Sequence, residues 1–415
     1  MNFYKHLDKI LISTYDYNLT KANEAEAMDY KGNIFILNPG IAGESRIQFK
    51  VTSPSQLFME NESLKMLQKL PSTQPDWLQA AISEGRVFSL NTSYDNWEQN
   101  LKNKEPGKKV ITISGMGDVG GMLTAGLRLC GGEVISKINI FDKDPNKIKR
   151  WELECNAILP GDNNCGFPAI CGIEEEDLFN CHMFVFCVSI GVPEVGREAA
   201  DVRMSQFKGN SKVIAYYARM ARERGFNGIF AVVSDPVDLL CAEAYRESNK
   251  NSLGVLDYKG LRPDQIKGYG LGVMYARAAY YSKELKKDNM FLKEGRAFGP
   301  HGQGLIIADS IVNYCEADSE ILTEKAMKSN LEVRAAGFKP YIAPALSSGA
   351  LSIIATLKGE WHYSSNFIGG VFFGSRNRET NFGIEFEAYN FPGSLDFKLE
   401  STYAMLKEHG SDGGL

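Results

Sequence analysis

Residues 110 to 121 read VITISGMGDVGG, and no other stretch restricts the fold of this chain as much. Val110, Ile111, Thr112 and Ile113 carry strand chemistry. Gly115, Gly117 and Gly120 follow in the spacing G-x-G-x-x-G, and Met122 to Cys130 then has helical propensity. A tight strand-to-helix turn needs the first glycine. The second lets backbone approach a pyrophosphate, and the third lets helix and strand pack closely. The N-terminus of the helix adds free N–H groups and partial positive charge for the phosphates. Gly115, Met116, Gly117, Asp118, Val119 and Gly120 are therefore expected to hold a dinucleotide. A second strand, Lys137 to Phe141, ends at Asp142, twenty-two residues after Gly120. An acidic residue at about that distance binds the adenosine ribose hydroxyls and selects NAD over NADP.

Strand and helix alternate from residue 108 onward, which argues for a parallel sheet. Strands are expected at Met183–Val188, Gly228–Val233 and Gln265–Tyr269, and helices near Lys147–Ala157 and Met204–Gly225. Ser189, just after the first of these strands, is counted with the cofactor-binding residues. After residue 269 the alternation stops. Helices are expected at Val273–Lys286, Ser319–Ala336, Ala345–Leu357 and Leu399–His409, with strand-like runs at Phe367–Gly374 and Gly383–Ala388. The fold class read from this order is α/β: a Rossmann-type doubly wound parallel sheet at 107–269, then an α+β substrate domain at 270–415. Residues 1–106 form an N-terminal extension with short strands at Ile34–Leu37, Ile47–Val51 and Arg86–Leu90 and a helical segment at Trp77–Glu84. Nothing there has catalytic spacing, so surface cover or oligomer contacts is the expectation for it.

With 415 residues, 44% hydrophobic and 23% charged, the composition is that of a soluble globular protein. A net charge of −5 gives no electrostatic reason to bind nucleic acid or an anionic membrane, and no apolar run reaches the roughly 20 residues of a transmembrane helix. The N-terminus MNFYKHLDKILIS is too polar in its middle for a secretory signal, so a cytoplasmic protein is expected. Among the eight cysteines, Cys155, Cys165, Cys171 and Cys181 lie near one another in sequence. Their spacing lacks the close C-x-x-C pairs of metal and iron–sulfur sites, so unpaired thiols and no metal are expected.

The order of motifs resembles that of the lactate/malate dehydrogenase family over about residues 108 to 410. It rests on GMGDVGG at 115–121, Asp142, VSDPVDLL at 233–240, VMYAR at 273–277 and GPHG at 299–302. The resemblance implies hydride transfer between NAD and a 2-hydroxy or 2-oxo acid, with a small carboxylate as substrate and a homodimer or homotetramer as the assembly. It makes His301 the proton carrier, a role suited to an imidazole near neutral pH. It makes Arg277 the guanidinium that holds the substrate carboxylate by two parallel hydrogen bonds. Arg203, seven residues before Asn210, matches the mobile-loop arginine that closes over the substrate and polarises its carbonyl. Arg197 occupies, counted back from Arg203, the position that separates malate-type from lactate-type enzymes. Counted forward from Gly191 the register fails, so a second substrate carboxylate and a plain surface arginine both stay open for it.

Three departures matter. The family's acidic residue that holds the catalytic histidine is replaced by Met274, whose thioether cannot stabilise an imidazolium. Asp235 stands where the family has asparagine, and we expect it to face His301 in place of the missing acid. Lys339, in GFKPY, stands where a small residue is usual on the pocket wall and offers a further cation to the substrate. Two alternatives to the dehydrogenase accompany this reading. One is a non-catalytic or weakly active NAD(H)-binding sensor or assembly protein, favoured by Met274 and Asp235. The other is a NAD-dependent glycosidase, which would want a metal-binding Cys/His set.

Overall fold

In the computed structural model the described residues are 1–41, 43–59, 61–104, 106–159, 166–190 and 202–411, and the side chains of 202–205 and 409–411 fall outside the description. The chain begins with β1 (Asn2–His6) and β2 (Lys9–Ser13), paired antiparallel, then β3 (Thr20–Ala22), α1 (Glu24–Asp29), β4 (Ile34–Asn38) and β5 (Gln48–Lys50). Helix α2 (Asp76–Ser83) leads into β6 (Val87–Asn91). The β1–β2 hairpin was not foreseen. Its turn is made by Leu7 and Asp8 at φ 46° and 57°, so it lacks the Asn-Gly or Gly signature that marks such turns in sequence.

The glycine-rich stretch forms β7 (Lys109–Ser114) and α3 (Asp118–Cys130), followed by β8 (Ile135–Phe141), α4 (Pro145–Asn156), β9 (Ala169–Gly172) and β10 (Met183–Phe186). Then come α5 (Val202–Glu223), β11 (Ile229–Val232), α6 (Val237–Ser248) and β12 (Ile266–Gly268). These six strands are parallel in the order β9-β8-β7-β10-β11-β12. The order reverses between β7 and β10, and in such sheets ligands bind in the crevice beyond the strand ends at that reversal.

The last part contains α7 (Leu271–Tyr281), α8 (Asp288–Glu294), the two-stranded sheet β13 (Arg296–Phe298) and β14 (Ile306–Ala308), and α9 (Glu316–Ala335). A π-helical turn, Pro344–Leu351, runs into α10 (Ser352–Lys358). A meander of β15 (His362–Ile368), β16 (Val371–Thr380) and β17 (Gly383–Phe386) precedes α11 (Gly393–Ser411). Phe367–Gly374 is therefore not one strand. Gly369 and Gly370, at φ 53° and 105°, turn the chain between β15 and β16.

β15 pairs antiparallel with β12, and β17 meets β5 in parallel at Ile384 and Phe49. One fifteen-stranded sheet thus runs from β3 to β9. The N-terminal region is more than a cover. Ile10, Ile34, Leu67 and Val87 share one hydrophobic core with Phe298, Phe373, Phe386 and Leu399. A buried ion pair pins it further. Glu62 accepts from Arg46 Nε at 2.9 Å and from Nη2 at 3.0 Å, and its Oε1 also takes the Arg46 backbone N–H. The same guanidinium donates to the carbonyl of Phe367 in β15. Both side chains are buried, so removing the carboxylate strands a cation out of water. Glu62→Gln is expected to lower the unfolding free energy by about 3–5 kcal/mol, read as a shift in the urea midpoint with unchanged slope.

Candidate active site

Each glycine of the turn has a separate local reason. Gly115 sits at φ 98°, and a Cβ there would lie 2.7 Å from the Cys187 carbonyl carbon and the Val188 nitrogen. Gly120 packs so closely on the turn that a Cβ would lie 1.9 Å from the Gly115 oxygen. Around Gly117, the residue that begins α3, a Cβ would meet no atom within 4 Å, so the backbone is open to a ligand on that side. Asp142 ties down the turn: its Oδ2 accepts from Met116 N at 2.8 Å, and its Oδ1 accepts from Asp144 N at 3.0 Å. Trp151 donates to the Met116 carbonyl at 3.2 Å from the other side. The turn lies at the sheet reversal, because Gly115 abuts the residues that follow β10.

Val119 packs against the core beneath the turn. Asp118, in the first turn of α3, pairs with Lys339 Nζ at 3.0 Å, and both side chains are exposed. Lys339 therefore stands at the mouth of the dinucleotide turn. Ser189 is exposed beyond β10. The neighbouring Ile190 N–H donates to Asn210 Oδ1 at 2.8 Å, while Asn210 Nδ2 donates to the Asp235 carbonyl at 2.8 Å. Fully buried Asn210 thus fastens the segment after β10 to the segment after β11. Its part as a brace was not read from the sequence, where it served only as a counting mark.

His301 lies in the loop between β13 and β14, pressed against Gly270: a Cβ on Gly270 would lie 2.7 Å from that of His301. Two carboxylates hold it. Asp235 Oδ1 is 2.8 Å from the ring Nδ1, and Asp238 Oδ2 accepts from the His301 backbone N–H at 2.8 Å. The ring is largely covered while Asp235 is 44% exposed, so the pair opens to solvent on the carboxylate side. An ionised carboxylate can only accept, so this contact places the neutral ring's hydrogen on Nδ1 and leaves Nε2 as the nitrogen available for proton transfer. Asp238 also escaped the sequence reading. The only sequence signal for it was an acid in the first turn of α6, which reads as ordinary helix capping.

Met274 is buried among Leu271, Ala278 and Phe291. Arg277, one turn further along α7, places Nη1 3.6 Å from the Met274 sulfur and donates to the Ala326 carbonyl at 3.3 Å. Burial draws the Arg277 guanidinium below its usual range, and the nearby charge of Asp235 opposes that. Among the described residues it has no carboxylate within ion-pair distance, so its fork is free to hold an anion. The structure therefore brings His301, Asp235 and the neighbouring Arg277 together. Arg197 lies outside the described residues, and Arg203 falls in α5 with its side chain outside them. Cys165 also lies outside, the seven described cysteines are unpaired, and no group of three or more potential metal ligands exists among the described residues.

The sheet order and the glycine turn define a Rossmann-type dinucleotide fold. Comparison with known proteins makes this more specific. The chain is 23% identical over 192 residues to the L-lactate dehydrogenase of Fusobacterium nucleatum subsp. nucleatum, covering 46% of this chain and 54% of that one. It thus spans about half the length of this relative. It superposes with a TM-score of 0.58 on a lactate dehydrogenase from a Medee basin deep-sea metagenome library, at 18% identity, covering 72% of this chain and 97% of that one. The malate dehydrogenase from Aeropyrum pernix gives a TM-score of 0.57 at 16% identity, covering 72% and 96%. The lactate dehydrogenase from Eimeria maxima with NADH and oxamate gives 0.57 at 17%, covering 74% and 94%. No family model matches the chain. The fold is that of the lactate and malate dehydrogenases, carried by a sequence that has diverged far from them. No helix among the described residues is long and apolar enough to cross a membrane.

Proposed function

We propose that this chain is a NAD-dependent oxidoreductase that transfers a hydride between nicotinamide and a 2-hydroxy or 2-oxo acid. The observation that carries the reading is the 2.8 Å contact between Asp235 and His301 beside an arginine without a carboxylate partner. Residues 107–269 hold the dinucleotide and 270–415 supply the substrate side in this reading. Residues 1–106 extend the sheet and its core. The glycine turn fits the cofactor: Gly117 is open where a pyrophosphate would approach, and Gly115 and Gly120 admit no side chain. Asp142 faces the turn from the end of β8 and is the acid for the adenosine ribose, with Ser189 on the far side of the reversal. When bound, NAD(H) accepts or supplies the hydride.

The chain's own residues do the rest. Arg277 clamps the substrate carboxylate and so fixes the reacting carbon. In reduction, His301 gives the proton on Nε2 to the carbonyl oxygen, and in oxidation it takes the hydroxyl proton back. Asp235 holds the ring by Nδ1 and stabilises the imidazolium that forms, the part an acid plays in other His–carboxylate pairs. Pairing with the imidazolium also offsets the repulsion an unpaired Asp235 would exert on an anionic substrate. Arg203 closes over the carbonyl, and Arg197 takes a second carboxylate if the substrate has one. Lys339, now held by Asp118, adds a cation for the same anionic substrate. A homodimer or homotetramer in the cytoplasm, with no nucleic acid or membrane partner, completes the proposal. The unpaired cysteines and the net charge of −5 support it.

The second reading, a NAD(H)-binding sensor or assembly protein, is favoured by one observation: Met274 is fully packed at the acid's position. A panel of 2-oxo acids, dicarboxylates included, offered with NADH separates the two. We expect NADH oxidation with at least one acid and its loss in His301→Ala. Tight NADH binding with no oxidation by any acid selects the sensor.

A further inference from the structure

A cleft of about 400 Å³ opens away from the dinucleotide turn, between α7, α8, α10 and the β15–β16 pair. Its charge is lopsided. Lys293, Arg296 and Arg376 line it, and Glu387 is the carboxylate set among them. Arg296 is spent on that carboxylate: its Nε and Nη2 meet Glu387 at 3.0 and 2.9 Å, and its Nη1 donates to the carbonyls of Lys293 and Gly295. Arg376 uses only Nη1, at 2.6 Å from Glu387 Oε2, and lies over the Trp361 ring at 5.2 Å. Lys293 is exposed on α8 and has no ion pair among the described residues.

The second observation is a buried polar atom. Tyr363 is 7% exposed, lines the cleft, and its hydroxyl has no hydrogen-bond partner. The ring is fixed by stacking on Tyr275, centroids 4.6 Å apart. Burial pushes the phenol well above its usual range, so it stays a donor at any physiological pH. A buried donor without an acceptor costs about 1–3 kcal/mol, and an oxygen-rich ligand would relieve that cost. Free guanidinium nitrogens, a free ammonium and a phenol hydrogen on one wall are three different donors that want the same partner.

We propose that this cleft is a second small-molecule site, separate from the dinucleotide site, that binds a compact oxyanion, a phosphate or carboxylate group, through Arg376, Lys293 and the Tyr363 hydroxyl. The claim does not depend on the dehydrogenase reading. Inorganic phosphate and citrate, titrated into the full chain by calorimetry in chloride of matched ionic strength, test it and tell the two kinds of anion apart. Saturable binding of at least one is expected, weakened about tenfold or more in Tyr363→Phe and in Arg376→Gln. Tyr363→Phe removes one buried hydroxyl and no bulk, so it keeps the fold. Phosphate also suits the dinucleotide turn, but binding there would be indifferent to both substitutions. Equal affinity in wild type and Tyr363→Phe, or no saturable binding of either anion, overturns the proposal.

Discussion

Replacing Asp235 by asparagine is expected to lower kcat by about two to four orders of magnitude, while the dissociation constant for NADH changes less than threefold. The range follows from other His–carboxylate pairs, where an amide in place of the acid keeps the shape but no longer stabilises the imidazolium. Asp235 is 44% exposed and its backbone carbonyl is held by Asn210. The substitution therefore costs little folding energy, and a loss of rate reports on chemistry. The expected division, kcat down with binding kept, also separates an orienting acid from a substrate-repelling one. If the carboxylate chiefly repelled the substrate, asparagine would lower KM and raise kcat/KM. It is also the residue found at this position in the dehydrogenases the sequence resembles, so a gain of activity would mean that the ancestral arrangement still operates here.

Gly120→Val is expected to abolish measurable NADH binding. Even a Cβ would lie 1.9 Å from the Gly115 oxygen, and real Cβ atoms never approach backbone that closely. The turn must move, and with it the backbone N–H groups that would cradle the pyrophosphate. The contrast is Gly117→Ala, where a Cβ meets nothing within 4 Å. There the fold is untouched and only the approach of the ligand is hindered. Fluorescence titration with NADH, with circular dichroism melting as the fold control, should show both variants weakened in binding but only Gly120→Val lowered in Tm. Unchanged NADH affinity in both would remove the dinucleotide turn from the account.

How far the sequence could be read follows from what each feature depends on. The β7 turn and Asp142 were legible because each role is local. A glycine needed for steric reasons and an acid at a strand end leave a mark within about 30 residues. The Asp235–His301 pair was legible in a different way. One acid was missing and another was present in a motif of the same pocket, so the contact could be anticipated although 66 residues separate the two. Asp238 and Asn210 were not legible as braces. Their partners are backbone groups, and a backbone N–H or carbonyl looks the same at every position of a sequence. The N-terminal region was misjudged for a related reason. Its apolar residues pack on β13, β16, β17 and α11, hundreds of positions away, and no periodicity within residues 1–106 reveals such a partner. The hairpin at Leu7 and Asp8 was missed because its positive-φ residues are neither glycine nor asparagine.

The account turns on Asp235 having taken over the orientation of His301. The tautomer of that ring tests this most directly, by proton–nitrogen correlation on protein labelled with 15N-histidine, the His301 signals assigned by their loss in His301→Gln. With the ring neutral, the account predicts the hydrogen on Nδ1, facing Asp235, with Nε2 bare, and a loss of that preference in Asp235→Ala. A His301 ring protonated on Nε2, or a tautomer indifferent to Asp235→Ala, would contradict it.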